Sequence, residues 1–250
     1  FMYQFDFHVF QERRHKFFKK INGKAAIISG AELVKHHADC QYPFRQDSDF
    51  WYLTGFDEPD SVALFLAHKP EGERYILFVN EKDSLSEVWH GFRWGTNGAE
   101  EIFKADNSHP INLLSEKLPN YLKGADEIIF SIGKNKKIEP IILDLWSNQL
   151  DNYSRLGNAP SAIKPLGLYL NDMRLIKSNY EIKRMREAAQ ISAEAHELIR
   201  LNLHLKNNER QLQGLVEGFF LDRGARGPAY NTIIASGDNA CVLHYTQNNS

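Results

Sequence analysis

The chain has 250 residues, of which 42% are hydrophobic and 25% charged, with a formal net charge of -2. This ordinary globular composition can bury a sizeable core, in one large or two smaller domains. The near-neutral charge excludes a binder driven by phosphate neutralisation and gives no affinity for an anionic membrane surface, so neither nucleic acid nor membrane is expected as a partner.

No apolar run approaches the length of a bilayer span, and the first residues lack a basic stretch followed by an apolar one. The two cysteines, Cys40 and Cys241, are far apart in sequence. Two reduced thiols in a cytoplasmic protein are therefore expected, in place of a disulfide scaffold.

In chain order, Phe10 to Ile21 reads as a basic amphipathic helix, with Arg13, Arg14, Lys16, Lys19 and Lys20 among Phe10, Phe17, Phe18 and Ile21. A solvated surface helix is expected. Gly23 stops it, and Ala25 to Ser29 follows as a short buried strand. His36 and His37 lie near Asp39 and Cys40, but adjacent residues face different ways and no second cluster completes a metal shell.

The densest stretch is 42–60, YPFRQDSDFWYLTGFDEPD, which gathers aromatic residues, Arg45 and several acids around Gly55. Phe50, Trp51, Tyr52 and Phe56 are expected in the core, with Arg45 and Asp49 forming a charge pair among them. Val62 to Ala67 and Arg74 to Asn80 read as a hairpin across a Pro/Gly turn. Trp89 and Trp94 then sit among glycines, as local packing or as a binding surface. Leu113 to Leu122 and Ile138 to Leu150 read as helices around a strand at Glu127 to Ser131, which makes an α/β domain.

The character changes near residues 165–178. Ser178 and Glu181 form a capping box. The helix after it carries a stripe at Ile182, Met185, Ala189, Ser192, His196 and Ile199, expected to face inward. A second helix bears Leu212, Leu215, Val216, Phe219 and Phe220 on one face and ends at Gly224. Thr232 to Ala235 and Cys241 to His244 read as two strands around a turn. Two helices and one hairpin lack a sheet on which to bury their apolar faces, so a fragment, or a partner supplying the rest, is expected.

The stretch Tyr42 to Phe56 resembles the N-terminal signature of bacterial Xaa-Pro aminopeptidases (aminopeptidase P). Met173-Arg-Leu-Ile-Lys-Ser resembles that family's domain junction, and Gly224 to Thr246 resembles the opening of its catalytic domain. The resemblance implies an α/β creatinase-like N-terminal domain with a mixed sheet over 1–172, then an incomplete pita-bread α+β domain over 173–250. It implies hydrolysis of the bond before proline, two manganese ions per site in the intact enzyme, peptides with proline second as substrates, and a homo-oligomer.

The family's five metal ligands lie downstream of the motif matching His244. The resemblance therefore implies that no metal ligand lies in these 250 residues and that they are inactive alone. Asp222 and Asp238 are not at ligand positions and read as a helix-end acid and a turn acid. His244 is the implied catalytic residue, hydrogen-bonding the substrate or tetrahedral intermediate. Tyr230 is implied to line the same cavity, and Trp89, Asp39 and Arg155 to close a neighbouring subunit's site as substrate-binding residues. A prolidase or creatinase relative, and a non-catalytic peptide-binding or oligomerisation module of the same fold, are the alternatives.

Overall fold

A computed structural model describes residues 6–206 and 208–250. The described chain divides into two compact units, one ending at Ile176 and the other running from Lys177 to Ser250.

The first unit is an α/β sandwich. Its elements in order are α1 (Phe7–Lys20), β1 (Ala25–Ser29), β2 (Lys35–His37), β3 (Cys40–Gln41), α2 (Ser48–Thr54), β4 (Val62–Leu66), β5 (Tyr75–Val79), α3 (Ser84–His90) and α4 (Gly95–Glu101). Then come β6 (Asn107–Pro110), α5 (Leu114–Leu122), β7 (Ile128–Ile129), α6 (Ile138–Asp151), α7 (Tyr153–Leu156), β8 (Ile163–Lys164) and α8 (Gly167–Leu175).

Six strands form one sheet in the order β6-β5-β4-β1-β7-β8, and β2 and β3 make a separate hairpin. β1, β4 and β5 pair antiparallel, whereas β5–β6, β1–β7 and β7–β8 pair parallel, so the sheet is mixed. The central strands are continuously apolar because both faces of the sheet are covered. Alternation divides them: Ala26, Ile28, Ala63, Phe65, Leu77 and Val79 meet α1, α2, α4 and α8, while Ala25, Ile27, Leu64, Leu66, Ile76 and Phe78 meet α5 and α6.

The basic helix α1 departs from the sequence expectation. Arg13 and Arg14 are buried, at 7% and 5% exposure. They donate to carbonyls in the last turn of α2, Arg13 to Tyr52 O and Arg14 to Leu53 O, and Arg14 also reaches Phe103 O. Each guanidinium lies over a ring, Arg13 over Tyr52 at 4.0 Å and Arg14 over Tyr75 at 4.3 Å. Cations at a helix C-terminus satisfy otherwise orphaned carbonyls and oppose the negative end of the dipole.

The dense stretch organises α2. Asp47 caps the helix by accepting from the Asp49 and Phe50 amides. Gly55 ends it with φ 67°, in the left-handed region. The buried Gln46 side chain uses both ends: its oxygen accepts from the Ala31 and Asp47 amides, and its nitrogen donates to Phe56 O and Glu58 O. Phe50, Tyr52 and Phe56 are in the core, and Trp51 is half-buried against Phe10. The expected Arg45–Asp49 pair is not formed: Asp49 instead pairs with Arg174 and Lys134, and Arg45 is exposed. Residue 45 lies before the cap and points out, whereas Asp49 is in the first turn, within reach of chain brought up from far away.

The second unit consists of α9 (Asn179–Asn202), α10 (Glu209–Asp222), 3-10 turns at Leu203–Leu205 and Gly237–Cys241, and the loops around them. The capping box at Ser178 and Glu181 is present. The helix α10 buries Leu212 and Val216 and has Leu215, Phe219 and Phe220 half-buried, which is the face expected from sequence.

Two expectations fail in this unit, the first in part. Of the expected inward stripe Ile182 and Ile199 are half-buried, but Met185, Ala189, Ser192 and His196 are exposed; the buried residue of α9 is Ala195, with Ile191, Glu194 and Leu198 half-buried around it. The three-four spacing defines a common face, but its neighbour α10 packs on a different one. Residues 232–235 and 241–244 also form no strands; 232–235 is irregular, and the 3-10 turn runs through Cys241. Among the described residues nothing pairs with their backbones as a ladder; the Asn248 side chain bonds the Thr232 carbonyl and the Ile234 amide, and Glu217 of α10 accepts from the Thr232 hydroxyl.

Candidate functional site

The first unit has a cleft of about 780 Å³ at the carboxyl ends of β1 and β7, lined by Gly30, Gln46, Asp47, Asp49, Lys134 and Arg174 among others. Crevices at strand carboxyl ends are common binding places in α/β folds. Four of its charged residues, Asp47, Asp49, Lys134 and Arg174, are however engaged with one another. Lys134 lies 3.7 Å from Asp47 and 3.3 Å from Asp49, and Asp49 also meets Arg174. Asp47 is committed as a helix cap and Gln46 as a loop clamp. These groups hold the dense stretch in place.

The three sequence-derived candidates of this unit lie on separate elements. Asp39 is in the exposed β2–β3 turn, where its side chain accepts from the neighbouring Cys40 thiol at 3.8 Å. Arg155 is exposed on α7. Trp89 is 83% exposed on α3, a helix capped by Asp83. The two tryptophans part company: Trp94 turns into the core edge-on to Phe103, and Trp89 faces outward beside exposed Leu85, Val88 and Phe92.

In the second unit, His244 sits in an exposed turn and Tyr230 in an exposed loop, and no hydrogen bond joins their side chains. What fixes this region is a ladder of polar residues along α10, at Glu209, Gln213 and Glu217. The i, i+4, i+8 spacing places them on one side of the helix. Glu217 accepts from the Thr232 hydroxyl at 2.7 Å and from the Gln213 amide. Gln213 accepts from Asn248, a fully buried side chain that also donates to Thr232 O and accepts from the Ile234 amide.

Glu209 is the densest node. It is 3% exposed and receives the Ser236 amide and hydroxyl, the Asn239 side chain, the Tyr245 hydroxyl at 2.7 Å and the Ser250 amide. Burial alone would raise its pKa; hydrogen bonds from Tyr245, Ser250 and Ser236 override this and take it down to about 2. Its place in the first turn of α10 favours the same ionised form.

Glu209, Gln213 and Asn248 were absent from the sequence-derived candidates. The four-residue spacing of Glu209 and Gln213 beside an apolar face is indistinguishable, in sequence, from a solvated helix edge, and Asn248 lies in a polar, irregular segment. Among the described residues no group of three or more His, Cys, Asp and Glu could hold a metal ion.

The N-terminal domain of aminopeptidase P matches residues 10–130, and metallopeptidase family M24 matches residues 183–250. The Escherichia coli Xaa-Pro aminopeptidase is 34% identical over 96% of this chain, and the Haemophilus influenzae one 35%. Among solved structures, an aminopeptidase of Pseudomonas aeruginosa superposes with a TM-score of 0.91 at 34% identity, covering 100% of this chain and 56% of its own. Aminopeptidase P of E. coli gives 0.92 at 33%, covering 99% and 56%.

The chain belongs to the aminopeptidase P family of metallopeptidases, as a creatinase-like N-terminal domain followed by part of an M24 domain. It spans about half the length of the relatives it matches, 54% of the E. coli protein. Membership of a metallopeptidase family implies a divalent metal. The described residues offer no cluster to hold one.

Proposed function

We propose that this chain is the N-terminal part of a Xaa-Pro aminopeptidase, a hydrolase that uses two manganese ions to release the residue preceding proline at a peptide N-terminus. The observation that carries this reading is the order of the two family matches along one chain, at 34% identity over almost its whole length. The creatinase-like domain spans 1–172 and the pita-bread portion 173–250, and the compact division after Ile176 supports that partition.

His244 is the catalytic residue within these 250 positions. Its imidazole donates a hydrogen bond to the oxygen of the scissile carbonyl as negative charge develops there. Tyr230 lines the same cavity. Asp39, Trp89 and Arg155 close the site of a neighbouring copy in a homo-oligomer. Exposed Leu85, Val88 and Trp89 at i, i+3 and i+4 on α3, with exposed Phe92 just beyond its end, support self-association. Free, exposed Cys40 and Cys241 support a reducing, cytoplasmic location.

The test is hydrolysis by the gene product read through beyond Ser250, loaded with manganese. Release of the first residue is expected from peptides with proline second and not from alanine counterparts. H244A is expected to lower kcat by about 10²- to 10³-fold. The 250-residue chain alone is expected to show no manganese-dependent turnover. Absence of release from every Xaa-Pro peptide by the manganese-loaded full-length protein would overturn the proposal.

A further inference from the structure

We infer that Glu209 is a positioning residue that fixes the turn carrying His244, by clamping both ends of segment 236–245 with one carboxylate. The inference rests on the functional reading above for what His244 does, and on geometry alone for the clamp. Ser236 opens the segment and delivers its amide at 2.7 Å and its hydroxyl at 2.9 Å to Oε1 of Glu209. Tyr245 closes it, with its hydroxyl 2.7 Å from Oε2 and only 6% exposure. The Tyr245 amide bonds back to Val242 O, so the turn holding His244 is closed immediately before the anchored ring. Asn239, in the middle of the segment, bonds both the Glu209 carboxylate and the Tyr245 hydroxyl.

The chemistry of the node requires a carboxylate. The Ser236 and Ser250 amides can only donate, and they address opposite oxygens. Glutamine at 209 has nearly the same shape but places an NH2 against one of those amides. Tyr245 can rotate its hydroxyl to accept; a backbone N–H cannot. Aspartate keeps both acceptors on a shorter stem and reaches only part of the set. A glutamate recruited solely for solubility would not be buried against five donors without a paired cation among the described residues.

The experiment compares E209Q, E209D, H244A and E209Q/H244A in the full-length protein. It reads steady-state kinetics on a Xaa-Pro peptide and amide hydrogen exchange by segment. E209Q is expected to lower kcat about 10-fold or more while KM moves less than about 3-fold. The Ser236 and Ser250 amides should exchange about 10-fold faster, with α9 unchanged. E209D should recover part of both losses. The double variant should be no slower than H244A, because a positioning residue has nothing left to position.

Wild-type kcat in E209Q, unchanged exchange at 236–250, or losses that multiply in the double variant would each overturn the inference. If the wild-type protein cleaves no Xaa-Pro peptide, the functional reading fails, and exchange alone still decides whether Glu209 holds the segment. Should E209Q not fold, Y245F removes one donor without disturbing a buried charge and reports on the same two quantities.

Discussion

Gly55 has two independent reasons to be glycine. Its φ of 67° is costly for any residue with a Cβ, and a Cβ there would lie 2.6 Å from the Phe10 ring. Relaxing one conflict leaves the other, because Phe10 is itself fully buried against Trp51. Gly55→Ala is expected to destabilise by about 2–4 kcal/mol, read as a lower urea midpoint at unchanged slope. A loss below about 0.5 kcal/mol would refute this account of the turn. Tyr75 makes the opposite case. Its ring is buried beneath Arg14, burial raises its pKa, and its hydroxyl has no hydrogen-bond partner among the described residues. Tyr75→Phe should therefore leave stability unchanged or raise it by up to about 1 kcal/mol, and a clear loss in thermal unfolding would show that the hydroxyl is used.

At the scale of elements, α10 works with two faces. The apolar one packs through Leu212 and Val216, and the polar edge of Glu209, Gln213 and Glu217 holds loops that would otherwise be tied to nothing regular. The Glu209 clamp depends on ionisation, and its pH dependence has a definite sign. A carboxylate whose pKa falls on folding contributes stability above its ordinary value of 4.5, and the contribution is lost as pH falls through about 2. The Ser236 and Ser250 amide resonances should hold steady from neutral pH to about 4.5 and shift together only below it. A common midpoint at or above 4.5 would mean that the clamp does not stabilise the carboxylate. The helix α1 teaches the same lesson in reverse, since a run of basic residues contains two arginines that serve as buried caps for α2.

At the scale of the whole molecule, the exposed apolar residues of α3 test the proposed association of copies. Trp89 is 83% and Val88 80% exposed on a helix that is properly capped, so the apolar face is held out in a defined shape. If copies associate through it, V88E/W89E should shift the mass measured by light scattering toward the monomer with the fold retained by circular dichroism. The same mass for wild type and variant would remove α3 from any interface. The charge pairs of Asp49 with Lys134 and Arg174 join α2 to parts of the first unit more than 80 residues away, which marks the dense stretch as an organiser of that unit.

Sequence alone determined the middle of the first unit. The strands β1, β4, β5 and β7, the helices at 113–122 and 138–150 and the core aromatics were legible, as was the capping box of the second unit, because burial on two sheet faces and local cap chemistry leave periodic or short-range signals; the short strands β2, β3, β6 and β8 were not. The three ordered motifs also sufficed to identify the family. Tertiary structure alone decided which charges pair, which side of α9 is covered, and that 232–244 is held by side chains without a ladder. A carboxylate and its partner look the same in sequence whether they meet or face water. The difference lies in which distant backbone donors are brought to them, as at Glu209, where Ser236, Tyr245 and Ser250 converge on one residue that its own helix would leave exposed.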